Sequence, residues 1–450
     1  MNTIRFIPRL ALAGTAAVAL MGAGPTDTFD VKTQIGPNPV LPAPNEYLLP
    51  PMHLAPVVGW KSGEAPTVPS GLKVQAFATG LEHPRSVYTL PNGDVLVVES
   101  RSPNLEPVSR PKNIIMRWVE SFVTSAGADT GSNRITLLRD THGDGKPDVR
   151  TVFIDHLYSP FGVALVGNDL YVANTDAILR FPYTTGQTTI TATGTVLTPL
   201  PGGPIDHHWT KSLVASEDGT KLYVGIGSNS NITENGIAAE LGRADIWEVD
   251  RATGAHRIFA DGLRNPNGLS WEPKTHALWA VVNERDELGP NLVPDYLTSV
   301  KDGAFYGWPY SYYGQHVDPR VHPTRPDLVA KAIMPDYALS SHVAPLGLVF
   351  DTGSNLPAHY AGGAFVGEHG SWDRQILNGY KVVFVPFTDG KPSGLAEDVV
   401  TGFLDQGGHA RGRPVGLALD KSGALLIADD VGNTVWRVSA GTQAQAANTP

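Results

Sequence analysis

One phrase recurs six times along the chain and limits the possible folds more than any other feature. It consists of a Gly or Pro turn, a short apolar strand, a polar Gly or Asp turn and a second apolar strand. It reads GLEHPRSVYTLPNGDVLVVES over 80–100, HLYSPFGVALVGNDLYVANT over 156–175 and KSLVASEDGTKLYVGIGS over 211–228. It returns as GLRNPNGLSWEPKTHALWAVVN over 262–283, APLGLVFDTGSNLPAHYAGGAFVGE over 344–368 and GRPVGLALDKSGALLIADD over 412–430. Taking Leu96, Leu170, Leu222, Leu278, Phe365 and Leu425 as equivalent gives irregular intervals, which fits one unit carrying loops of varying length. Asn92-Gly93 and Asp218-Gly219 suit tight hairpins between the strands. One four-stranded unit cannot bury both of its faces, so the units must stack around an axis. The pattern predicts an all-β, six-bladed β-propeller, with a sheet sandwich as the structural alternative. Lys73–Ala78 is expected to complete the last blade beside Val435–Val438, closing the ring and hiding a strand edge.

Composition agrees with short, turn-linked elements: 48 Gly and 37 Pro in 450 residues, with 41% hydrophobic residues to fill a core. A formal charge of −10 and a pI near 5.8 argue against a general nucleic-acid binder. Cysteine is absent, which removes disulfides, thiolate metal centres and thiol nucleophiles together.

Arg5 and Arg9 precede the apolar run Leu10–Met21, which ends in Gly22-Ala23-Gly24. These are the three zones of a secretory signal peptide, over 1–23, with a retained anchor helix as the alternative. The expected location is periplasmic or secreted. A Pro-rich arm follows over 24–70, then the propeller over 71–440 and a tail over 441–450. Residues 111–126 place Ile115, Trp118, Val119, Phe122 and Val123 at helical spacing. They predict an amphipathic helix inserted after the first blade's strand, packed on the propeller or turned to a membrane surface or partner.

Several loop residues could carry chemistry. His207 and His208 stand before a strand; on extended chain they point apart, so at most one faces a central cavity as proton acceptor. Arg264 and Asn265, in LRNPNG, offer a guanidinium and an amide for a carboxylate or carbonyl. Asn283–Glu287 offers oxygens for a hard cation such as Ca²⁺. Arg411 and Arg413 lie two apart and suit a polycarboxylate ligand. Asp140–Asp148 (DTHGDGKPD) is read as a hairpin turn or a partial calcium loop, lacking the third-position acid and the twelfth-position Glu of an EF-hand. Trp372, His369 and Arg374 are secondary candidates at the same mouth. Dinucleotide, Walker, GxSxG and HExxH signatures are absent from the chain beyond the leader.

Taken in order, HHWTKSL, GLRNPNGL, VVNERDELGPNLVPDYL, HVAPLGL, EHGSWDR and GRPVGLAL resemble the sorbosone dehydrogenase and soluble quinoprotein glucose dehydrogenase family, from about Gly71 to Val438. The resemblance implies a six-bladed propeller holding pyrroloquinoline quinone (PQQ) and Ca²⁺. It further implies that His208 takes a proton from the substrate hydroxyl as hydride passes to PQQ, and that Arg264 and Asn265 lie near the quinone carbonyls, with Arg264 stabilising the negative charge as hydride arrives. Backbone oxygens of Asn283 and Glu284 would hold Ca²⁺, and Arg411 and Arg413 would pair with PQQ carboxylates. This chain departs from the glucose branch at Ser228, where those enzymes support the histidine with Asp. It also lacks a clear match to their cofactor lysine near Glu368–Arg374, and its residues around His342 differ from their substrate-facing aromatics. The function expected is oxidation of a sugar or sorbosone-like aldehyde, with electrons passed to an external acceptor. A calcium-dependent lactonase propeller and a non-catalytic interaction propeller are the alternatives. The first is disfavoured because the mouth residues read from sequence are mainly Arg, Asn and His.

Overall fold

The computed structural model describes residues 29–46, 53–103, 132–353 and 355–441. The expected signal peptide and the 111–126 helix lie outside them.

Six sheets ring a central channel of about 400 Å³, and each sheet begins with a strand lining that channel. From inside outward, blade 1 runs Pro84–Thr89, Val95–Glu99, Arg134–Arg139 and Val149–Ile154. Blade 2 runs Gly162–Val166, Asp169–Ala173, Ala177–Pro182 and Thr195–Pro199, and blade 3 runs Leu213–Ala215, Lys221–Ile226, Asp245–Asp250 and His256–Asp261. Blade 4 comprises Pro266–Trp271, Leu278–Val282, Pro294–Ser299 and Tyr337–Ser341, with Ile35–Gly36 of the arm added at its outer edge. Blade 5 comprises Pro345–Phe350, Ala364–Glu368, Lys381–Val385 and Glu397–Val400. Blade 6 comprises Pro414–Leu419, Leu425–Asp429, Thr434–Ala440 and, from the other end of the chain, Leu72–Ala78. That last pairing, with Val74 opposite Val438 and Ala78 opposite Val435, is the expected closure. The six positions aligned from sequence all fall in the second strand of a blade and are at most 2% exposed.

Alternation along each strand builds the core between blades rather than inside them. Leu96 and Val98 pack toward blade 2, while Val95 and Val97 pack toward blade 6. Equivalent clusters fill each of the other interfaces. Near the axis the inner strands come too close for side chains. A Cβ on Gly162 would lie 2.5 Å from the Leu213 backbone, and one on Gly347 would lie 2.1 Å from the Val415 oxygen. The glycine of the repeated Pro-x-Gly therefore sets how tightly the ring closes. Phe161, Trp209, Leu346 and Val415, drawn from four blades, form an apolar plug at the axis.

The arm contacts loops at one end of the ring. Asn45 N donates to Leu288 O, His53 N to Trp372 O and Val58 N to Ala410 O, each at 2.8–2.9 Å. Trp60 reaches the buried Asp429 at 2.7 Å and packs edgewise on Trp436. Residues 140–148 form the hairpin between the outer strands of blade 1. Asp140 accepts backbone N–H groups from His142, Gly143, Asp144 and Gly145, and Asp148 accepts from Thr141.

Candidate active site at the rim of the ring

Each inner strand is entered, and each second strand left, at the same rim, so residues far apart in sequence meet there. His208 Nδ1 lies 2.9 Å from Ser228 O, and Ser228 N donates to Arg264 O at 2.8 Å. Asn283 N donates to Asn265 O at 3.1 Å, and its side chain reaches Pro345 O in blade 5 at 2.8 Å. His369 N donates to Ala344 O, and Arg413 Nε donates to His369 O. The circuit continues from His369 to Asp430, then to Arg85, whose guanidinium sits 5.5 Å over Trp209, the neighbour of His208. Of the expected site residues, His208, Arg264, Asn265, Asn283 and Arg413 thus occupy one connected rim.

His208 is half-buried. A carbonyl oxygen can only accept, so the contact to Ser228 O places the proton on Nδ1 and leaves Nε2 with its lone pair. The Ser228 hydroxyl also lies 3.0 Å from Nδ1 and donates its own proton to Ser230 O. Burial, then the adjacent His207 and Arg264, hold the His208 pKa well below the ordinary 6.5. The two histidines do not point apart as expected. Residues 206–212 are irregular rather than extended, and the two rings meet edge to face at 4.4 Å, with His207 exposed. Lys211 and Arg243 hold this irregular loop from beneath. Lys211 is fully buried and donates to Trp209 O at 2.9 Å, and Arg243 donates to Gly227 O and Pro201 O. Burial pushes the Lys211 pKa down to about 7. At Gly227 a Cβ would lie 2.4 Å from both His208 Cβ and Asn265 Oδ1, so only glycine lets these two residues approach. Asn265 Oδ1 is buried without a hydrogen-bond donor.

Arg264 is 2% exposed, and protein oxygens account for its donors. Nε donates to Asn231 O, Nη1 to Asn283 O (3.3 Å) and Glu284 O (2.6 Å), and Nη2 to Asn231 Oδ1 and Asp286. The two carbonyls expected to hold Ca²⁺ are therefore already acceptors of this guanidinium. Arg411 and Arg413 are held by different partners. Arg411 lies 3.7 Å from Glu64 of the arm. Arg413 donates to His369 O and Gly370 O and sits 4.9 Å over the Tyr380 ring, while its Nη1 has no acceptor among the described residues. Of the secondary candidates, His369 pairs with Asp430 at 2.9 Å, and Arg374 is buried against Ser341 and Asn291.

The rim also carries buried carboxylates that the sequence reading passed over, so it is not mainly Arg, Asn and His as expected. Asp295 caps the backbone N–H groups of Glu284 and Ala344, Asp429 receives Trp60, Trp436 and the Arg413 backbone, and Asp430 pairs with Arg85 and His369. Asp286, His342 and Asp373 each place one potential ligand atom within 4.8 Å of the others. Burial opposes the charge on His342, but Asp286, Asp373 and Asp295 outweigh it and push its pKa up to about 9. Asp286 and Asp373 both stand in short polar segments singled out from sequence, but nothing in the spacing of 286, 342 and 373 brings them together.

Comparison with known proteins agrees with this architecture. A relative from Borreliella burgdorferi, an uncharacterized protein, is 27% identical over 382 residues, covering 82% of this chain and 90% of its own length. A pyrroloquinoline quinone-dependent pyranose dehydrogenase of Coprinopsis cinerea is 23% identical over 368 residues, 71% of this chain but 44% of that protein. The solved holo form of the PQQ domain of pyranose dehydrogenase from Coprinopsis cinerea superposes with a TM-score of 0.67 at 21% identity, covering 85% of this chain and 98% of that one. The family profile described as Glucose / Sorbosone dehydrogenase matches residues 81–373, blades 1 to 4 and the two inner strands of blade 5, and the chain belongs to that family.

Proposed function

We propose that this protein is an exported quinoprotein oxidoreductase that oxidises a sugar or sugar-derived aldehyde, sorbosone-like and reacting as its hydrate, with PQQ as resident cofactor. The observation that carries the reading is a single rim joining a neutral imidazole with an available Nε2 to a half-buried guanidinium with an available Nη1. Family membership supports it, as does a pyranose dehydrogenase among the relatives; the Arg-then-apolar N-terminus supports export.

The residues fit a planar polycarboxylate. Arg413 offers a cationic donor for a carboxylate and Arg411 one that Glu64 shares, Asn265 Oδ1 is a buried acceptor open to an N–H of the ligand rather than to its carboxylates, and Gly227 keeps one wall free of side chain. Bound PQQ would supply two-electron acceptor chemistry. The chain's own part is to position the substrate and take its proton. His208 Nε2 accepts the proton from the substrate hydroxyl, and Ser228 O keeps the required tautomer. Burial, with His207 and Arg264 beside it, keeps the imidazole neutral, and Lys211 and Arg243 fix the loop that carries it. Electrons then pass to an external acceptor. Ca²⁺ on the Asn283 and Glu284 oxygens would have to share both carbonyls with the Arg264 guanidinium, using the second lone pair of each.

Reconstitution of purified protein with PQQ, followed by dye reduction across a sugar and aldehyde panel, tests the reading. Quinone-independent lactone hydrolysis would favour the hydrolase alternative, and absence of both PQQ binding and turnover would favour a non-catalytic propeller. In fluorescence titrations, Arg413→Ala should weaken PQQ binding about 10- to 100-fold, the range for hydrogen bonds between charged groups. Arg411→Ala should weaken it less, because Glu64 already shares that guanidinium.

A further inference from the structure

We propose that Asp286, His342 and Asp373 bind one first-row divalent ion, Mn²⁺ or Zn²⁺, through two carboxylate oxygens and the imidazole Nδ1. The inference does not depend on the quinone reading. The three residues come from the loop leaving the second strand of blade 4, the entry to blade 5, and the loop leaving the second strand of blade 5. His342 and Asp373 are 5% and 1% exposed. The Asp286 side chain is 19% exposed, which leaves the cluster an entrance.

The geometry separates inward from outward atoms. His342 Nε2 lies 3.1 Å from Gly289 O, a carbonyl that fixes Nε2 as donor and directs the Nδ1 lone pair to the cluster once Nδ1 is deprotonated. Asp286 Oδ2 accepts from Arg264 at 3.1 Å, leaving Oδ1 3.2 Å from Nδ1. Asp373 Oδ2 accepts the Glu287 N–H at 3.0 Å, leaving Oδ1 buried with no partner. The backbone bearing Asp286 is held in turn by Arg285, which donates to Asp286 O at 2.8 and 3.0 Å and is itself anchored on the buried Asp318. Every candidate ligand thus has its remaining polar atom engaged, as around metal centres. Two ligands at tetrahedral angles on one ion stand roughly 3.4 Å apart, close to the observed Nδ1–Oδ1 separation.

A metal-free account exists, with a protonated His342 bridging Asp286 and Gly289. It satisfies both ring nitrogens but leaves Asp373 Oδ1 buried without a donor, whereas a dication engages all three atoms. The donor set also selects the ion. Ca²⁺ takes oxygen ligands, while an imidazole beside two carboxylates suits a borderline first-row ion.

The test is equilibrium dialysis of the EDTA-treated full chain, without PQQ, against Mn²⁺, Zn²⁺ or Ca²⁺ separately. The expected result is one equivalent of Mn²⁺ or Zn²⁺, bound at least about tenfold more tightly than Ca²⁺. Asp373→Asn and His342→Gln should each weaken uptake about tenfold or more, on protein whose melting shows that it folds. Absence of stoichiometric uptake, tightest binding of Ca²⁺, or unchanged uptake in both folded variants would overturn the proposal. A parallel PQQ titration keeps the two readings apart: metal uptake without PQQ binding sinks the quinoprotein reading alone, and PQQ binding without metal uptake sinks this one alone.

Discussion

Two histidines stand on the same rim, one entering blade 3 and one entering blade 5, and their surroundings push them in opposite directions. Burial favours the neutral ring of His208, and the neighbouring His207 and the Arg264 and Arg243 guanidiniums act in the same direction. His342 is set deeper, but Asp286, Asp373 and Asp295 surround it, and their charge overcomes burial. One environment leaves a neutral imidazole with a fixed tautomer; the other leaves a held cation, or a ligand once a metal replaces its proton. Burial alone predicts the same state for both, so the sign of the neighbouring charge decides.

The largest expected effect tests whether His208 is the base. His208→Ala should lower turnover by about 10²- to 10⁴-fold while PQQ titrations stay near wild type. An unchanged rate would remove His208 from the reaction and dissolve the contrast. A smaller effect converts one environment toward the other. Ser228→Asp places a carboxylate beside His208 Nδ1, as at His342, and should raise its pKa. The acid limb of kcat/KM should then move about one unit or more to higher pH, away from its wild-type position below 6.5. A limb that stays in place would mean that another group sets it.

The smallest effect is on stability, and it has opposite signs at the two sites. The folded pKa of His208 lies below its unfolded value. Its contribution is therefore complete above pH 6.5 and is lost as pH falls through that range. The folded pKa of His342 lies above its unfolded value. Its contribution is complete below pH 6.5 and is lost as pH rises through about 9. In EDTA-treated protein, His342→Gln should flatten the loss of unfolding free energy between pH 6.5 and 9, an effect on the order of 2 kcal/mol. His208→Gln should flatten the loss on the acid side instead. Denaturant melts across pH read both, and matching profiles for the two variants would refute the difference in charge state.

Much of the architecture was legible in the chain, because its cause is local and repeated. Pro-x-Gly at the entry of four inner strands, an Asn-Gly or Asp-Gly hairpin in two blades, and alternating apolar residues in all six each act within a few residues, and together they make the ring. The strand at 72–78 could be assigned to blade 6 because an open ring would leave an edge unpaired. His208, Arg264, Asn265 and Arg413 precede an inner strand and Asn283 and Glu284 follow a second strand, two positions of the repeat that the antiparallel hairpin brings to the same rim.

What the chain alone determined, then, was which residues reach the rim; tertiary structure decided what each one meets there. Arg264 looks available in LRNPNG, yet it is committed to carbonyls 19 and 20 residues downstream. Arg411 and Arg413 look like a pair, yet one turns to the arm and the other to blade 5. Asp286, His342 and Asp373 share no motif and converge only because blades 4 and 5 are neighbours. Repeat phase is a short-range property that a sequence writes openly, whereas the charge around a buried group sums over segments that only the closed ring brings within a few ångströms.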